Sequence, residues 1–98
     1  MLIEHSQEGD RGVFYIRSEN GERIAELTYL AKKELLIIDH TEVDDSLRGK
    51  NIGNQLIEAA VEHARQNSLK IRPICPFAKA VIDKRPEMQD VLASDESN

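Results

Sequence analysis

The hydrophobic pattern changes period twice between Leu35 and Cys75, and this change constrains the fold more than any other feature of the chain. A short aliphatic run is followed by apolar residues at helical spacing, and then by the alternating segment 69–75. The helical positions form one apolar stripe that comprises Ile52, Leu56, Ile57, Ala59, Ala60, His63 and Ala64. A helix ending near Asn67 is predicted. Strand, helix and strand in this order predict a right-handed crossover between two parallel strands.

The segments upstream of this unit predict an antiparallel meander. Residues 13–17 and 23–30 are rich in β-branched and aromatic residues, which favour strands. The Asn20-Gly21 pair between them favours the positive φ angles of a hairpin turn. Residues 34–43 predict the central strand of the sheet, because the run from Leu35 to Ile38 suggests burial on both faces.

Two prolines mark the C-terminal elements. Pro76 suits the first turn of a short helix that continues to about Lys84, and Pro86 opens a last helix. That last helix would carry the apolar residues Met88, Val91 and Leu92. The elements add up to an α+β fold in which an antiparallel meander leads into one βαβ unit with short C-terminal helices. Residues 1–92 are expected to form one domain, and the polar residues 93–98 a disordered tail.

The charge balance limits the partners of the chain. Its 98 residues include 13 Lys or Arg and 18 Asp or Glu, which gives a net charge of -5. This excess of negative charge opposes binding to nucleic acid or to an anionic membrane surface. One cysteine allows no intrachain disulfide, and the N-terminus has no signal-peptide pattern, so a cytoplasmic protein is expected. A monomer is expected because no surplus apolar stripe is visible.

The polar segment 44–53 lies directly ahead of the predicted helix, and it contains Gly49, Asn51 and Gly53. The first turn of a helix presents unpaired N–H groups and the positive end of the helix dipole, so it can bind an anion such as a phosphate. Arg48 and Lys50 add positive charge. The same residues would also suit an ordinary turn with solubilising side chains, and spacing alone does not decide between these interpretations.

The stretch Arg48-Gly49-Lys50-Asn51-Ile52-Gly53 resembles the Q/R-x-x-G-x-G/A signature of GNAT-type N-acetyltransferases. It departs from that signature at Asn51, which replaces the middle glycine; asparagine tolerates the left-handed region better than most residues. Together with residues 39–43 and the Pro-x-Cys-Pro-Phe segment at 73–77, the chain resembles small, minimal GNAT-like proteins. Such proteins resemble a GNAT core without the N-terminal helices that form part of the acceptor site.

The resemblance implies binding of acetyl-CoA, with the loop holding the pyrophosphate of the coenzyme and the strand before it pairing with the pantetheine arm. Phe77 and Lys84 would contribute from the helix after Cys75, where Lys84 is placed to meet the 3'-phosphate. The implied cofactor-binding residues are Thr41, Glu42, Val43, Arg48, Gly49, Lys50, Asn51, Ile52, Gly53, Asn54, Phe77 and Lys84.

Cys75 and His40 are the candidate catalytic residues. Cys75 precedes a Pro-initiated helix, whose N-terminus would lower the pKa of a thiol and favour a nucleophilic thiolate. His40 could act as a general base towards the acceptor amine or Cys75, and a period of two places it on the face of Leu36 and Ile38. A lone cysteine and a half-buried histidine are also common structural residues.

No metal site is predicted, because His5, His63 and Cys75 have no metal-ligand spacing. Three functions stay open from the sequence. The first is an enzyme that transfers an acetyl group to an amine, either directly or through acetyl-Cys75. The second is a coenzyme A-binding module or sensor without turnover, and the third is a structural α+β domain. Nothing in the residues identifies the acceptor amine.

Overall fold

The computed structural model describes residues 2–93 of the chain. Five strands form one sheet in the order β1-β2-β3-β4-β5, and two α-helices and two 3-10 segments complete the fold. In chain order the elements are β1 (Glu4–Glu8), β2 (Arg11–Arg17), β3 (Arg23–Lys32), β4 (Leu35–Val43), a 3-10 turn (Asp45–Leu47), α1 (Ile52–Gln66), β5 (Lys70–Pro73), α2 (Pro76–Asp83) and a 3-10 segment (Pro86–Val91). The predicted α+β meander with one βαβ unit is confirmed.

The antiparallel meander comprises β1 to β4, and its first strand was not predicted from the sequence. The predicted hairpin between β2 and β3 is present: the Gly21 N–H donates to the Ser18 carbonyl at 2.9 Å, and Gly21 has φ +90°. Strand β1 pairs with β2 from Glu4↔Tyr15 to Glu8↔Arg11. Its residues are mostly exposed and polar, so the usual alternation of apolar residues is missing.

The predicted parallel pair is also confirmed, since β4 and β5 pair in parallel from Leu35↔Lys70 to Ile38↔Pro73. Helix α1 connects them and ends at Gln66, next to the predicted stop. The prediction that residues 34–43 form the central strand is wrong, because β3 occupies the middle of the sheet and β4 lies between β3 and β5.

The two helices cover one face of the sheet. On β4 the side chains of Leu36 and Ile38 are fully buried, whereas those of Leu35 and Ile37 are only half-buried, so the expected burial on both faces is wrong. The strand residues of the hydrophobic core lie on this covered face, and they are Phe14, Ile16, Ala25, Leu27, Tyr29, Leu36, Ile38 and Ile71. We call the opposite side the open face, because no helix of residues 2–93 packs on it.

The C-terminal elements close the core beside β5. Helix α2 ends at Asp83, one residue before the predicted limit, and the last predicted helix is a 3-10 segment. Ile71 pairs with Leu92 and accepts a hydrogen bond from the Ala93 N–H at 2.8 Å. Ala93 is therefore anchored rather than part of a tail, and the remainder of the predicted tail lies outside the described residues. None of the helices described is long and apolar enough to cross a membrane.

Candidate functional site

The parallel strands β4 and β5 diverge after Ile38. Both the Ile74 and the Cys75 N–H donate to the Ile38 carbonyl, at 3.0 and 3.1 Å, and the strand ladder ends there. Pro73, the last paired residue of β5, has no N–H to continue a ladder. Strand β4 nevertheless extends to Val43, so its last residues have no strand partner on that side within residues 2–93. We call this point, where β4 continues beside Cys75 without a partner in β5, the gap.

Cys75 is the N-cap residue of α2, and it is buried with 7% of its surface exposed. Its Sγ lies 2.9 Å from the Thr41 Oγ1 on β4, so the side chain bridges the gap between the diverging strands. Burial raises the pKa of the Cys75 thiol, but hydrogen bonds from Thr41 and from the first turn of α2 outweigh it and hold the pKa below its ordinary value. A lower thiol pKa increases the fraction of nucleophilic thiolate.

His40 lies on the open face, so its predicted position on the face of Leu36 and Ile38 is wrong. The cause is a β-bulge: Tyr29 pairs with Ile38, and Thr28 pairs with His40, so Asp39 is one extra residue in β4. The extra residue inverts the alternation of side chains after it. His40 is therefore exposed, with its Nε2 3.4 Å from a carboxylate oxygen of Glu42.

The same bulge brings Thr41 to the covered face, against Cys75. Thr41 pairs with Leu27, whose side chain is fully buried on that face. Of the two predicted catalytic residues, only Cys75 lies where β4 and β5 separate, and the β4 side chain that contacts it is Thr41. The sequence named Thr41 for the pantetheine arm but missed this contact, because the position of a bulge has no visible signal in the chain.

The loop ahead of α1 contains two residues with positive φ, Gly49 and Asn51. Leu47 is buried and anchors the 3-10 turn, and Gly49 has φ +83°. Asn51 adopts the left-handed conformation, with φ 62° and ψ 28°, which is the conformation that the missing glycine would favour. Asn51 is the N-cap of α1, yet its side chain makes no capping hydrogen bond and accepts one from the Asn54 amide instead.

The start of α1 consequently presents N–H groups without a side-chain cap. No acidic residue lies in the first turn, so the positive end of the helix dipole is not neutralised there. Ile52 contributes to this turn through its backbone only, since its side chain is in the core. This arrangement favours binding of a phosphate or another anion.

Two basic side chains flank this helix start. The Arg48 guanidinium contacts the Asp45 carboxylate at 2.9 Å, but both side chains are at least 80% exposed. An ion pair this exposed contributes little free energy, so Arg48 can exchange its partner for an anionic ligand. Lys50 is exposed as well.

Phe77 connects the loop to α2. Its ring lies over Gly53, where an added Cβ would come within 2.5 Å of the ring carbon Cζ. A pocket next to this contact is lined by Asn54, Phe77, Ala80, Val81 and Lys84. Three of these five residues are among the predicted cofactor-binding residues.

Cys75 is buried, but two apolar residues close to it in the sequence are exposed. Ile74 is 60% exposed and Phe77 is 43% exposed, and together with Leu2 they are the large hydrophobic side chains exposed within residues 2–93. Two of these three flank Cys75 in the sequence. The sequence did not single out Ile74, since alternation gives no warning that β5 ends before it.

Comparison with known proteins identifies the family. The family model described as GCN5-related N-acetyl-transferase matches residues 13–91. The NMR solution structure of a GCN5-like protein from Staphylococcus aureus is similar, with a TM-score of 0.72 and 40% identity, and the match covers 97% of this chain and 92% of that chain. Protein NATD1 from Danio rerio is 28% identical over 90 residues, which is 91% of this chain and 80% of that protein.

A larger enzyme shares the fold. The ribosomal-protein-alanine N-acetyltransferase from Brucella melitensis has a TM-score of 0.66 at 20% identity, over 94% of this chain and 70% of that chain. The family match and the 40% identical chain from Staphylococcus aureus support an acyltransferase. It belongs to the GCN5-related N-acetyl-transferase family.

Proposed function

We propose that the chain transfers an acetyl group from acetyl-CoA to an amine. The observation that carries this proposal is the contact of the Cys75 thiol, whose pKa is lowered, with Thr41 at the end of β4 that has no partner in β5. The uncapped start of α1 is connected to the same region through Phe77, whose ring lies over Gly53. The helix start suits the pyrophosphate, and the free edge of β4 at Thr41 to Val43 suits the amides of the pantetheine arm. The pyrophosphate and the pantetheine arm are two parts of the same ligand, coenzyme A.

The residues near the gap fit the remaining parts of that ligand. Asn54 and Phe77 line the pocket beside the loop, and Phe77 supplies an apolar wall. Lys84 lines the same pocket and forms no ion pair within residues 2–93, so its charge is available for the 3'-phosphate. By contrast, Lys79 contacts Asp83 at 3.1 Å, and Arg85 contacts Glu58 and Glu87.

We propose further that Cys75 is the nucleophile. Acetyl-CoA supplies the acetyl group as a thioester. The Cys75 Sγ would form the new bond to the acetyl carbon while the bond from that carbon to the coenzyme sulfur breaks, so coenzyme A would leave as a thiolate and take up a proton from solvent. Before the attack, the hydroxyl of Thr41, 2.9 Å away, would donate a hydrogen bond that stabilises the Cys75 thiolate. The amine nitrogen would then bond to the acetyl carbon, the bond from that carbon to the Cys75 Sγ would break and restore the thiolate, and the proton of the amine would pass to solvent. His40, the base predicted from the sequence, lies on the opposite face of the sheet and does not face this amine. The alternative is direct attack by the amine, in which Cys75 has no covalent role.

Intact-mass measurement after incubation with acetyl-CoA separates these routes. We expect an adduct of one acetyl group on the native chain and none on Cys75→Ala. Release of coenzyme A on addition of amines, without any adduct and without loss of rate in Cys75→Ala, would instead establish direct attack. Binding without adduct and without release of coenzyme A would refute the enzyme and leave a coenzyme A-binding module.

Calorimetric titration with coenzyme A tests the loop. We expect Arg48→Ala to weaken binding by about tenfold, because it removes one charge-assisted hydrogen bond from a partly solvated site. Arg11→Ala is the matched control, since Arg11 is also an exposed arginine in a weak surface pair, 3.8 Å from Asp39. Equal affinities of the two variants would contradict a contact between Arg48 and the pyrophosphate.

A further inference from the structure

Three potential metal ligands meet on the open face of the sheet. One ligand atom each from Glu26, His40 and Glu42 lies within 4.8 Å of the other two. Glu26 and Glu42 are paired directly across β3 and β4, and His40 lies two residues before Glu42 on the same strand. The bulge at Asp39 is what places His40 on this face. The backbone of all three ligands is held in the ladder between two paired strands.

The spacing is close to that of a metal site. Zinc binds His nitrogen and carboxylate oxygen at about 2.0 Å, so neighbouring ligand atoms of a tetrahedral site are separated by roughly 3.3 Å. The His40 Nε2 and the Glu42 Oε1 are already 3.4 Å apart. One carboxylate oxygen of Glu26 already lies within 4.8 Å of both atoms.

Two carboxylates directly opposite each other also favour a cation between them. Like charges at paired positions of neighbouring strands destabilise a sheet. Arg23 compensates part of this repulsion, but its nitrogen lies 3.6 Å from Glu26, and its guanidinium stacks on the Tyr15 ring at 4.2 Å. Arg23 therefore competes for Glu26 without filling the space between the two carboxylates.

We propose that Glu26, His40 and Glu42 bind a divalent transition-metal ion. One imidazole and two carboxylates suit zinc, nickel or cobalt, whereas magnesium and calcium favour sites made only of oxygen. The expectation from sequence considered His5, His63 and Cys75, and it missed this site because its ligands come from two strands paired in space. The three side chains lie on the open face, opposite Cys75, and the test of this site does not depend on activity.

Titration of the tag-free chain with nickel chloride, followed by NMR of the histidine ring signals, tests the proposal. The chain has three histidines, so His5 and His63 serve as internal controls. We expect the paramagnetic ion to broaden the His40 signals first, while those of His5 and His63 persist. The His5 Nε2 already contacts the Tyr29 hydroxyl at 2.6 Å. Magnesium chloride added in excess over nickel should not reverse the broadening of the His40 signals. Simultaneous broadening of all three rings would overturn the proposal.

Variants establish whether the carboxylates take part. Glu26→Gln and Glu42→Gln should each weaken nickel binding by at least about tenfold, since losing a direct ligand costs no less than losing an outer-shell partner. Glu62→Gln, at an exposed position on α1, is the matched control and should leave the affinity unchanged. Arg23→Gln should tighten binding, because it removes the competing cation. If Glu26→Gln and Glu42→Gln both bind nickel as tightly as the native chain, nickel contacts His40 alone and the proposed three-ligand site does not exist.

Discussion

A cluster of four rings ties the N-terminal strand to α1, and it makes the stability of the fold depend on pH. The His5 ring stacks on Phe14 with centroids 4.2 Å apart, and it meets the edge of His63 at 4.7 Å. Tyr29 completes the cluster by its hydroxyl contact with His5. Burial lowers the pKa of His5, and the charge of His63 lowers it further; burial lowers the pKa of His63 as well. The folded chain therefore favours two neutral histidines.

The sign of the effect follows from proton binding. Below the ordinary histidine pKa of 6.5 the unfolded chain binds protons that the folded chain does not, so stability falls as the pH falls towards the folded-state values. The limiting slope is about 1.4 kcal/mol per pH unit for each histidine, so a change from about pH 7.5 to about pH 5.5 has a ceiling of roughly 2.7 kcal/mol for two. Both rings are partly exposed, and solvent screening reduces the expected loss to about 1 kcal/mol.

Thermal unfolding followed by circular dichroism measures this loss. A loss of about 1 kcal/mol corresponds to a decrease of roughly 4–8 °C in Tm for a domain of this size. In the double variant His5→Gln, His63→Gln, the decrease in Tm between the two pH values should be smaller by roughly 4–8 °C, because glutamine does not titrate. His40→Gln is the control, since 54% of the His40 side chain is exposed. If the native chain and the double variant lose the same stability, or if stability rises with acid, the reasoning is refuted.

Three further substitutions test individual contacts. Gly12→Ala should destabilise the chain by about 1–3 kcal/mol in urea unfolding, because the new Cβ would lie 2.2 Å from a ring carbon of the fully buried Tyr29; unchanged stability would contradict this packing. Thr41→Val should raise the pKa of the Cys75 thiol, measured by the pH dependence of alkylation, and an unaltered pKa would exclude the hydrogen bond as its cause. Asn51 has a positive φ, so Asn51→Val should destabilise the loop by about 1–2 kcal/mol and Asn51→Gly should not. Equal coenzyme A affinities of these two variants would contradict a role of the loop shape in binding.

Local sequence signals were sufficient for the βαβ unit and its loop. The helical stripe from Ile52 to Ala64 has one period over its whole length, and its predicted end was confirmed. At Asn51 the sequence allowed a left-handed backbone without requiring it. The structure has this conformation, with φ 62°, because the chain must turn there from the loop into α1. Whether the loop binds pyrophosphate stays a prediction.

Strand β1 could not be predicted from its own residues, because the contacts that stabilise it are made with residues of other strands. Glu4–Glu8 has almost no apolar side chain to bury, and its only ring is that of His5. The strand forms because β2 has a free edge, and because the His5 ring covers Phe14 and bonds to Tyr29. These partners are 9 and 24 residues away, so a local pattern does not contain them.

The bulge at Asp39 determines on which face of β4 the side chains of His40 and Thr41 lie. A bulge cannot be located from the alternation of residues along a strand. An unbroken strand would direct His40 towards Cys75 and Thr41 away from it. One added residue gives the opposite result: a hydroxyl lies beside the thiol, and the imidazole joins two carboxylates on the open face. The Thr28 hydroxyl holds the bulged residue through a hydrogen bond of 2.6 Å to the Asp39 carboxylate. A proton path from Cys75 to His40 would therefore have to cross the sheet, and so would a path from an amine that attacks an acetyl group on Cys75. The position of His40 thus gives no support to its predicted role as the base of this route.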